Sequence, residues 1–87
     1  MELFEFKELA KQTGLHLDYF FYSEFLHCFV AECHSKKHPV TIYFPNKFGG
    51  ATLSTGHGEN NIVEFFDSME HLIENRKEYE HEPERTV

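Results

Sequence analysis

Apolar positions recur at two different spacings along this chain, and the spacing changes near residue 15. Up to that point the recurrence is helical, and charged residues occupy the positions between. The apolar face consists of Leu3, Phe6, Leu9, Ala10 and Thr13. Gly14 follows it, where a residue in the left-handed conformation commonly ends a helix. This pattern predicts a short N-terminal helix that buries one face.

The next segments alternate with period two, which is typical of strands, and the first segment is predicted to be half buried on each face. In the first segment one set of alternating residues is Leu15, Leu17, Tyr19 and Phe21, and the other set is His16, Asp18, Phe20 and Tyr22. Residues 40–44 alternate in the same way, and after the turn residues of 45–50 the run 51–55 reads as a hairpin return. We expect Phe20 and Tyr22 to remain on the solvent face of the sheet, as an exposed aromatic patch.

Residues 25–33 fit two templates. In a strand, Phe29, Ala31 and Cys33 would share a face, whereas a helix would give a longer stripe from residue 25 to residue 33. The neighbouring segments on both sides are predicted strands, and residues 34–38 fit a connecting loop before Pro39. We therefore favour a strand, with the helix as the alternative.

The last periodic segment begins at residue 62. Its apolar stripe at helical spacing consists of Ile62, Phe65, Phe66, Met69, Leu72 and Ile73. Asn61 with Glu64 three residues later fits a helix-capping arrangement. The complete pattern predicts an α+β fold over residues 1–79: an N-terminal helix, an antiparallel sheet of three or four strands, and a C-terminal amphipathic helix packed on one face of the sheet. Residues 80–87 are predicted to be a polar tail.

Composition restricts the class of protein. Ten Phe and four Tyr in 87 residues supply a large apolar surface for so short a chain. Two cysteines are too few for the disulfide framework of a small secreted domain, and no segment approaches the roughly 20 apolar residues of a membrane span. Met1 is not followed by a signal-peptide pattern. We expect a cytoplasmic protein with no membrane contact.

The net charge of −7 is concentrated in the last third of the chain. Residues 59–87 hold nine acidic residues against three basic ones, a net charge of −6. On the predicted last helix an exposed acidic face, with one histidine, is a candidate partner-binding site: Glu64, Asp67, Glu70, His71, Glu74 and Glu78. Carboxylates repeating at about 5–6 Å per helical turn imitate the phosphates of a nucleic acid. The alternative is an ordinary solvated helix face.

Histidine and cysteine cluster between residues 27 and 38, which suggests a zinc site. The geometry argues against one, because Cys28 and Cys33 would point to opposite faces of a strand, about 17 Å apart. A site would instead need His34 and His38 together with a distant ligand such as His57. We predict no metal site and no cofactor.

No arrangement of residues indicates catalysis. His57 stands between two glycines, and Ser54 and Thr55 are near it only in sequence, which does not establish a catalytic geometry. The glycines do not have the spacing of a phosphate-binding loop. The chain is therefore not expected to be an enzyme.

A set of mostly glycine and apolar positions recurs along residues 3–74: Glu8-Leu9, Thr13-Gly14-Leu15, Tyr19, His27-Cys28-Phe29-Val30, and Gly56-His57-Gly58 before the last helix. In this order they resemble a double-stranded-RNA-binding domain. The resemblance implies a helix–strands–helix order, with lysines at the start of the last helix to grip phosphates. This chain has Asn60, Asn61, Glu64 and Asp67 at those positions.

These observations favour a small acidic protein that acts by protein–protein interaction. We expect an inhibitor or immunity-type protein of the phage or mobile-element class, similar in action to anti-CRISPR proteins, that blocks a basic, nucleic-acid-binding surface. The first alternative is a nucleic-acid-binding module, divergent from the double-stranded-RNA-binding domain, that uses Lys36, Lys37 and Lys47. The second is a small metal-binding protein. A second copy of the chain is a further candidate partner.

Overall fold

The chain forms one five-stranded sheet with a helix at each end. A computed structural model describes residues 1–36, 38–56 and 58–76. The elements are α1 (Leu3–Lys11), β1 (His16–Ser23), β2 (Cys28–Ser35), β3 (His38–Phe44), β4 (Ala51–Thr55), a 3-10 turn (Gly58–Asn60), β5 (Ile62–Phe66) and α2 (69–76). The strands are antiparallel in the order β1-β2-β3-β4-β5. The α+β prediction is confirmed, with five strands. The predicted tail, 80–87, lies outside the described residues, and no helix within them could cross a membrane.

One face of the sheet, which we call the covered face, packs against both helices. Phe6 and Ala10 of α1 and Met69 and Leu72 of α2 are almost completely buried there. The strands contribute a continuous buried cluster to the same core: Ala31, Cys33, Val40, Ile42, Ala51, Leu53 and Phe66. Each large apolar side chain buried in this way stabilises the fold by about 1.5–3 kcal/mol. The core therefore lies between the helices and one side of the sheet.

A β-bulge in β1 reverses the predicted inside and outside of that strand. Leu17 pairs with Cys33, but Tyr19 pairs with Glu32, so Asp18 is an extra residue on β1. Because the bulge shifts the alternation by one, Phe20 and Tyr22 lie on the covered face, and Lys7 of α1 lies over the Phe20 ring. The prediction that these two aromatic residues lie on the solvent face is therefore wrong, although Tyr22 remains 46% exposed at the rim of the covered face.

The ambiguous segment 25–33 is a turn followed by a strand. Residues 24–27 form the turn, in which His27 adopts a positive φ of 56°, and β2 begins at Cys28. The favoured strand is thus correct from residue 28 onward. The loop expected at residues 34–38 is shorter than predicted, because β2 continues to Ser35 and β3 begins at His38.

The predicted last helix is wrong over its first seven residues, because 62–66 form a strand and 67–68 a turn. Residues 62–66 form β5, in which Ile62 pairs with Thr55 and Phe66 pairs with Ala51. Its branched and aromatic side chains favour a strand, and the free edge of β4 supplies hydrogen-bond partners that a helix would not use. The helix α2 begins at residue 69. Its N-cap is Ser68, whose Oγ accepts a hydrogen bond from the His71 N–H at 3.0 Å.

Candidate functional site

The predicted acidic row is divided among several elements. Glu64 lies on β5, Asp67 lies in the turn after it, and Glu70, His71 and Glu74 lie on α2. All five are exposed, and Glu78 lies outside the described residues. A single row along one helix face is therefore wrong as a geometry.

The residues of α2 also have local explanations. At 100° per residue, Glu74 and His71 point away from the buried side formed by Met69, Leu72 and Ile73. Glu70 lies in the first turn, where a carboxylate interacts favourably with the helix dipole. The His71 ring packs edge-on against Phe66, with centroids 5.5 Å apart. Glu74 therefore faces away from the sheet, whereas His71 also contacts β5.

The lysines of the nucleic-acid hypothesis do not form one patch. Lys36 lies in the turn before β3, and Lys47 lies in the loop after it. The six residue steps of β3 separate these two ends by about 20 Å. Lys47 Nζ lies 5.2 Å from the centroid of the exposed Phe48 ring, and Lys37 lies outside the described residues.

The face of the sheet opposite the helices, which we call the open face, carries a row of mostly apolar residues across all five strands, of which Val30 is buried by its neighbours. Direct cross-strand pairs join Phe21, Val30, Tyr43, Thr52 and Phe65. Four strand spacings make this row about 19 Å long. Phe65 is 66% exposed at one end, and Tyr19, 5.4 Å from the Phe21 ring, is 60% exposed at the other. Exposed aromatic side chains on a flat surface are typical of binding sites.

The open face is acidic as well as aromatic. The five strands, all within the described residues, contain no lysine or arginine. Glu32 lies beside the apolar row on β2, paired with Tyr19. Asp18 reaches the same face from the bulge, because its carboxylate contacts His34. A cationic ligand would therefore meet both aromatic rings and carboxylates on this surface.

At the β1 edge of the open face, two histidines and one aspartate converge. His16 and His34 are direct cross-strand partners, and their ring centroids are 4.5 Å apart. Asp18 Oδ2 lies 2.8 Å from His34 Nδ1, and Asp18 Oδ1 lies 3.6 Å from His16 Nε2. One ligand atom from each of the three residues lies within 4.8 Å of the others, and all three side chains are exposed.

The cysteines and histidines considered for a metal site in the sequence are not brought together. Cys28 and Cys33 lie on opposite faces of β2, as expected, and both are free thiols. His34 lies on the open face, whereas His38 pairs with Ser35 on the covered side, and His57 lies outside the described residues. Burial, reinforced by the charges of Asp18 and Glu32, raises the pKa of Cys33 to about 11, and burial also raises the pKa of Cys28. Neither thiol is activated as a nucleophile.

Sequence reasoning missed both open-face features. The apolar row depends on strand register, and the histidine–aspartate cluster joins residues 16 and 18 to residue 34. One signal was available, since an aspartate inside an aromatic strand is unusual and can mark a bulge.

No family model, curated protein or solved structure matches this chain. The helix–strands–helix order implied by the double-stranded-RNA-binding resemblance is observed, but the glycine motif does not precede the last helix. Gly56 and Gly58 precede β5 instead of the last helix, and the sheet has five strands.

Proposed function

We propose that this chain is a small acidic binding protein, of the inhibitor or immunity type, that occupies a basic, nucleic-acid-binding surface of another protein. The observation that carries the proposal is the open face, where a row of mostly apolar side chains crosses all five strands and no helix among the described residues packs over it. Its length of about 19 Å matches the core of a standard protein–protein interface better than a small-molecule pocket.

Charge selects the kind of partner. Asp18 and Glu32 flank the aromatic row, and the strands carry no lysine or arginine. An arginine side chain can stack on Tyr19 or another exposed ring while its guanidinium pairs with a neighbouring carboxylate. Surfaces that bind nucleic acids present many arginines and lysines. The open face is therefore complementary to such a surface.

The acidic side of α2 serves a different purpose in this proposal. It lies on the opposite side of the molecule from the open face, so one flat partner cannot contact both. Glu70 and Glu74 instead add to a negative field that accelerates the encounter with a basic partner. Their removal should change the association rate and its salt dependence more than the dissociation rate.

The test is capture of the partner from the native host with immobilised wild-type protein, followed by affinity measurements with matched variants. Phe65 on the open face and Phe4 on α1 are 66% and 67% exposed, so Phe65→Ala and Phe4→Ala remove equal rings from opposite sides. We expect Phe65→Ala to weaken binding at least tenfold, as at an interface hot spot of about 2 kcal/mol, and Phe4→Ala to leave binding unchanged.

The charged surfaces provide a second pair of variants. We expect the double variant Asp18→Asn, Glu32→Gln to dissociate from the partner faster than the wild type. The double variant Glu70→Lys, Glu74→Lys should mainly lower the association rate. If Glu70→Lys with Glu74→Lys abolishes binding while Phe65→Ala has no effect, the partner contacts the acidic helix and the assignment of the open face as the contact surface is wrong.

One observation favours the nucleic-acid alternative. Exposed aromatic residues on a sheet can stack with single-stranded bases. The net charge of −7 opposes this mode, because phosphates would approach a negative surface. A mobility-shift titration separates the two proposals: tight, salt-sensitive binding that Phe65→Ala abolishes would replace the protein partner by a nucleic acid.

A second copy of the chain is the remaining candidate for the open face. Sedimentation of the purified chain tests it.

A further inference from the structure

We propose that His16, Asp18 and His34 form a binding site for a divalent transition-metal ion of the zinc class, with one coordination position open to solvent. The inference does not depend on the proposed function, because it rests on three side chains at the β1 edge of the sheet. Two imidazoles and one carboxylate are the ligand types of many three-residue zinc sites, in which the fourth position holds water or an incoming ligand.

The backbone brings the three ligands together. His16 and His34 are opposite one another in the β1–β2 ladder, so their side chains leave the sheet on the same side. Asp18 lies two residues after His16, so regular alternation places its side chain on the same side, where it contacts His34. The bulge then returns Tyr19 to this face as well. Strand pairing therefore limits how far the three side chains can separate.

The distances are close to those that a metal ion requires. With metal–ligand bonds of about 2.0–2.1 Å, ligand atoms in a tetrahedral site are about 3.3 Å apart. The two Asp18 contacts lie on either side of that value: Oδ2 is hydrogen-bonded to His34 Nδ1 at 2.8 Å, and the other oxygen, Oδ1, lies 3.6 Å from His16 Nε2. All three ligand atoms lie within 4.8 Å of one another, so small side-chain rotations complete the site.

The donor set also selects among cations. Imidazole suits zinc, copper and nickel, whereas calcium and magnesium prefer oxygen ligands throughout. The carboxylate of Asp18 provides one negative charge, and Glu32 on the same face lies two residues from His34 along β2. A divalent cation therefore approaches a site with a favourable charge and an exposed entry path.

The experiment is a calorimetric titration of the dialysed full chain with Zn²⁺. We expect one tight equivalent. His34→Gln and His16→Gln should each weaken it by at least about 100-fold, since loss of even an outer-shell partner costs 10- to 100-fold. The matched control is His38→Gln, because His38 is exposed on the other side of the sheet. Since His38 is neither a ligand nor a partner of one, this substitution should change the zinc affinity by less than about threefold.

Seven histidines make non-specific binding the main competing outcome. If His38→Gln weakens zinc binding as much as His34→Gln, or if the wild-type chain binds no equivalent of zinc, the site does not exist. A second measurement does not depend on the variants folding. In the wild-type chain, zinc should shift the imidazole NMR signals of His16 and His34 and leave that of His38 unchanged; uniform shifts would overturn the assignment.

Discussion

The two faces of the sheet share the same strands and the same register, yet one is buried under the helices and the other is partly exposed to solvent. On the covered face the helices bury Ile42 and Leu53 almost completely. On the open face the neighbouring positions Tyr43 and Thr52 remain half-buried, and no element among the described residues packs over them. Period-two alternation can therefore be apolar on both sides. What distinguishes the core from the open face is the layer of helices above it.

The largest test of this comparison uses two adjacent residues of β5. Phe66 is 8% exposed on the covered face, and Phe65 is 66% exposed on the open face. We expect Phe66→Ala to lower the free energy of unfolding by about 3–5 kcal/mol, because it leaves a cavity in the core. Phe65→Ala should cost less than about 1 kcal/mol, because the ring is already in water. Urea unfolding monitored by circular dichroism measures both.

Equal losses for the two variants would contradict the comparison. They would show that the open face is buried in solution, either in a second copy of the chain or by the residues that the structure does not describe. Repeating the measurement at several protein concentrations distinguishes these cases, because only self-association makes the free energy of unfolding, and its loss in Phe65→Ala, depend on concentration.

A second test concerns the junction between β4 and β5, which supports both faces. A Cβ added at Gly50 would overlap the carbonyl oxygen of Phe66, so Gly50→Ala must separate the two strand ends. We expect a loss of about 3 kcal/mol, at the upper end for overpacking. The control is Gly49→Ala, where φ is +87° but no atom lies within 4 Å of the added Cβ. Backbone strain alone should cost about 1–2 kcal/mol there.

If Gly49→Ala were the more harmful of the two, left-handed backbone strain would matter more than the close approach of the strands. Thermal unfolding of both variants decides this, and Phe65→Ala serves as the reference for a change that leaves the backbone intact.

The same comparison explains which parts of the fold are predictable. Local patterns predicted α1, β3 and β4, because each pattern has one consistent period and a clear end signal. The faces of β1 were assigned wrongly because one extra residue, Asp18, inverts every later position. Residues 62–66 match both periods, and only the free edge of β4 decides for a strand. The open-face row is a product of register, which neighbouring residues do not encode.

A third prediction compares the two thiols, one on each face of β2. Burial and the carboxylates of Asp18 and Glu32 raise the pKa of Cys33 from 9.0 to about 11. Below pH 9 the thiol is protonated in both states and its contribution to stability is fully present. Between pH 9 and pH 11 the thiol ionises in the unfolded chain but stays protonated in the folded one, so the free energy of unfolding falls. We expect Cys33 to account for a loss of about 1 kcal/mol by pH 10.

Equilibrium unfolding between pH 8 and pH 10.5 checks this, with tyrosines and lysines as a shared background in every variant. Cys33→Ala should flatten the dependence on pH more than Cys28→Ala, because the Cys28 thiol has a backbone hydrogen bond that partly opposes the rise of its pKa. Identical slopes for the two variants would mean that the covered face does not desolvate Cys33 more strongly.

The smallest effect concerns where the covering layer begins. Ser68 caps α2, whereas Asn61, the cap predicted from sequence, accepts a hydrogen bond from the Ser54 hydroxyl at 2.7 Å on the open side of β4 and β5. Ser68→Ala should therefore cost about 1 kcal/mol and reduce the helical circular dichroism signal. Asn61→Ala should cost about 0.5 kcal/mol, the low end for an exposed hydrogen bond, and leave helicity unchanged. The converse result would mean that a helix begins at residue 62 in solution, in which case β5, the exposed position of Phe65 and the fifth strand of the open face would all be lost together.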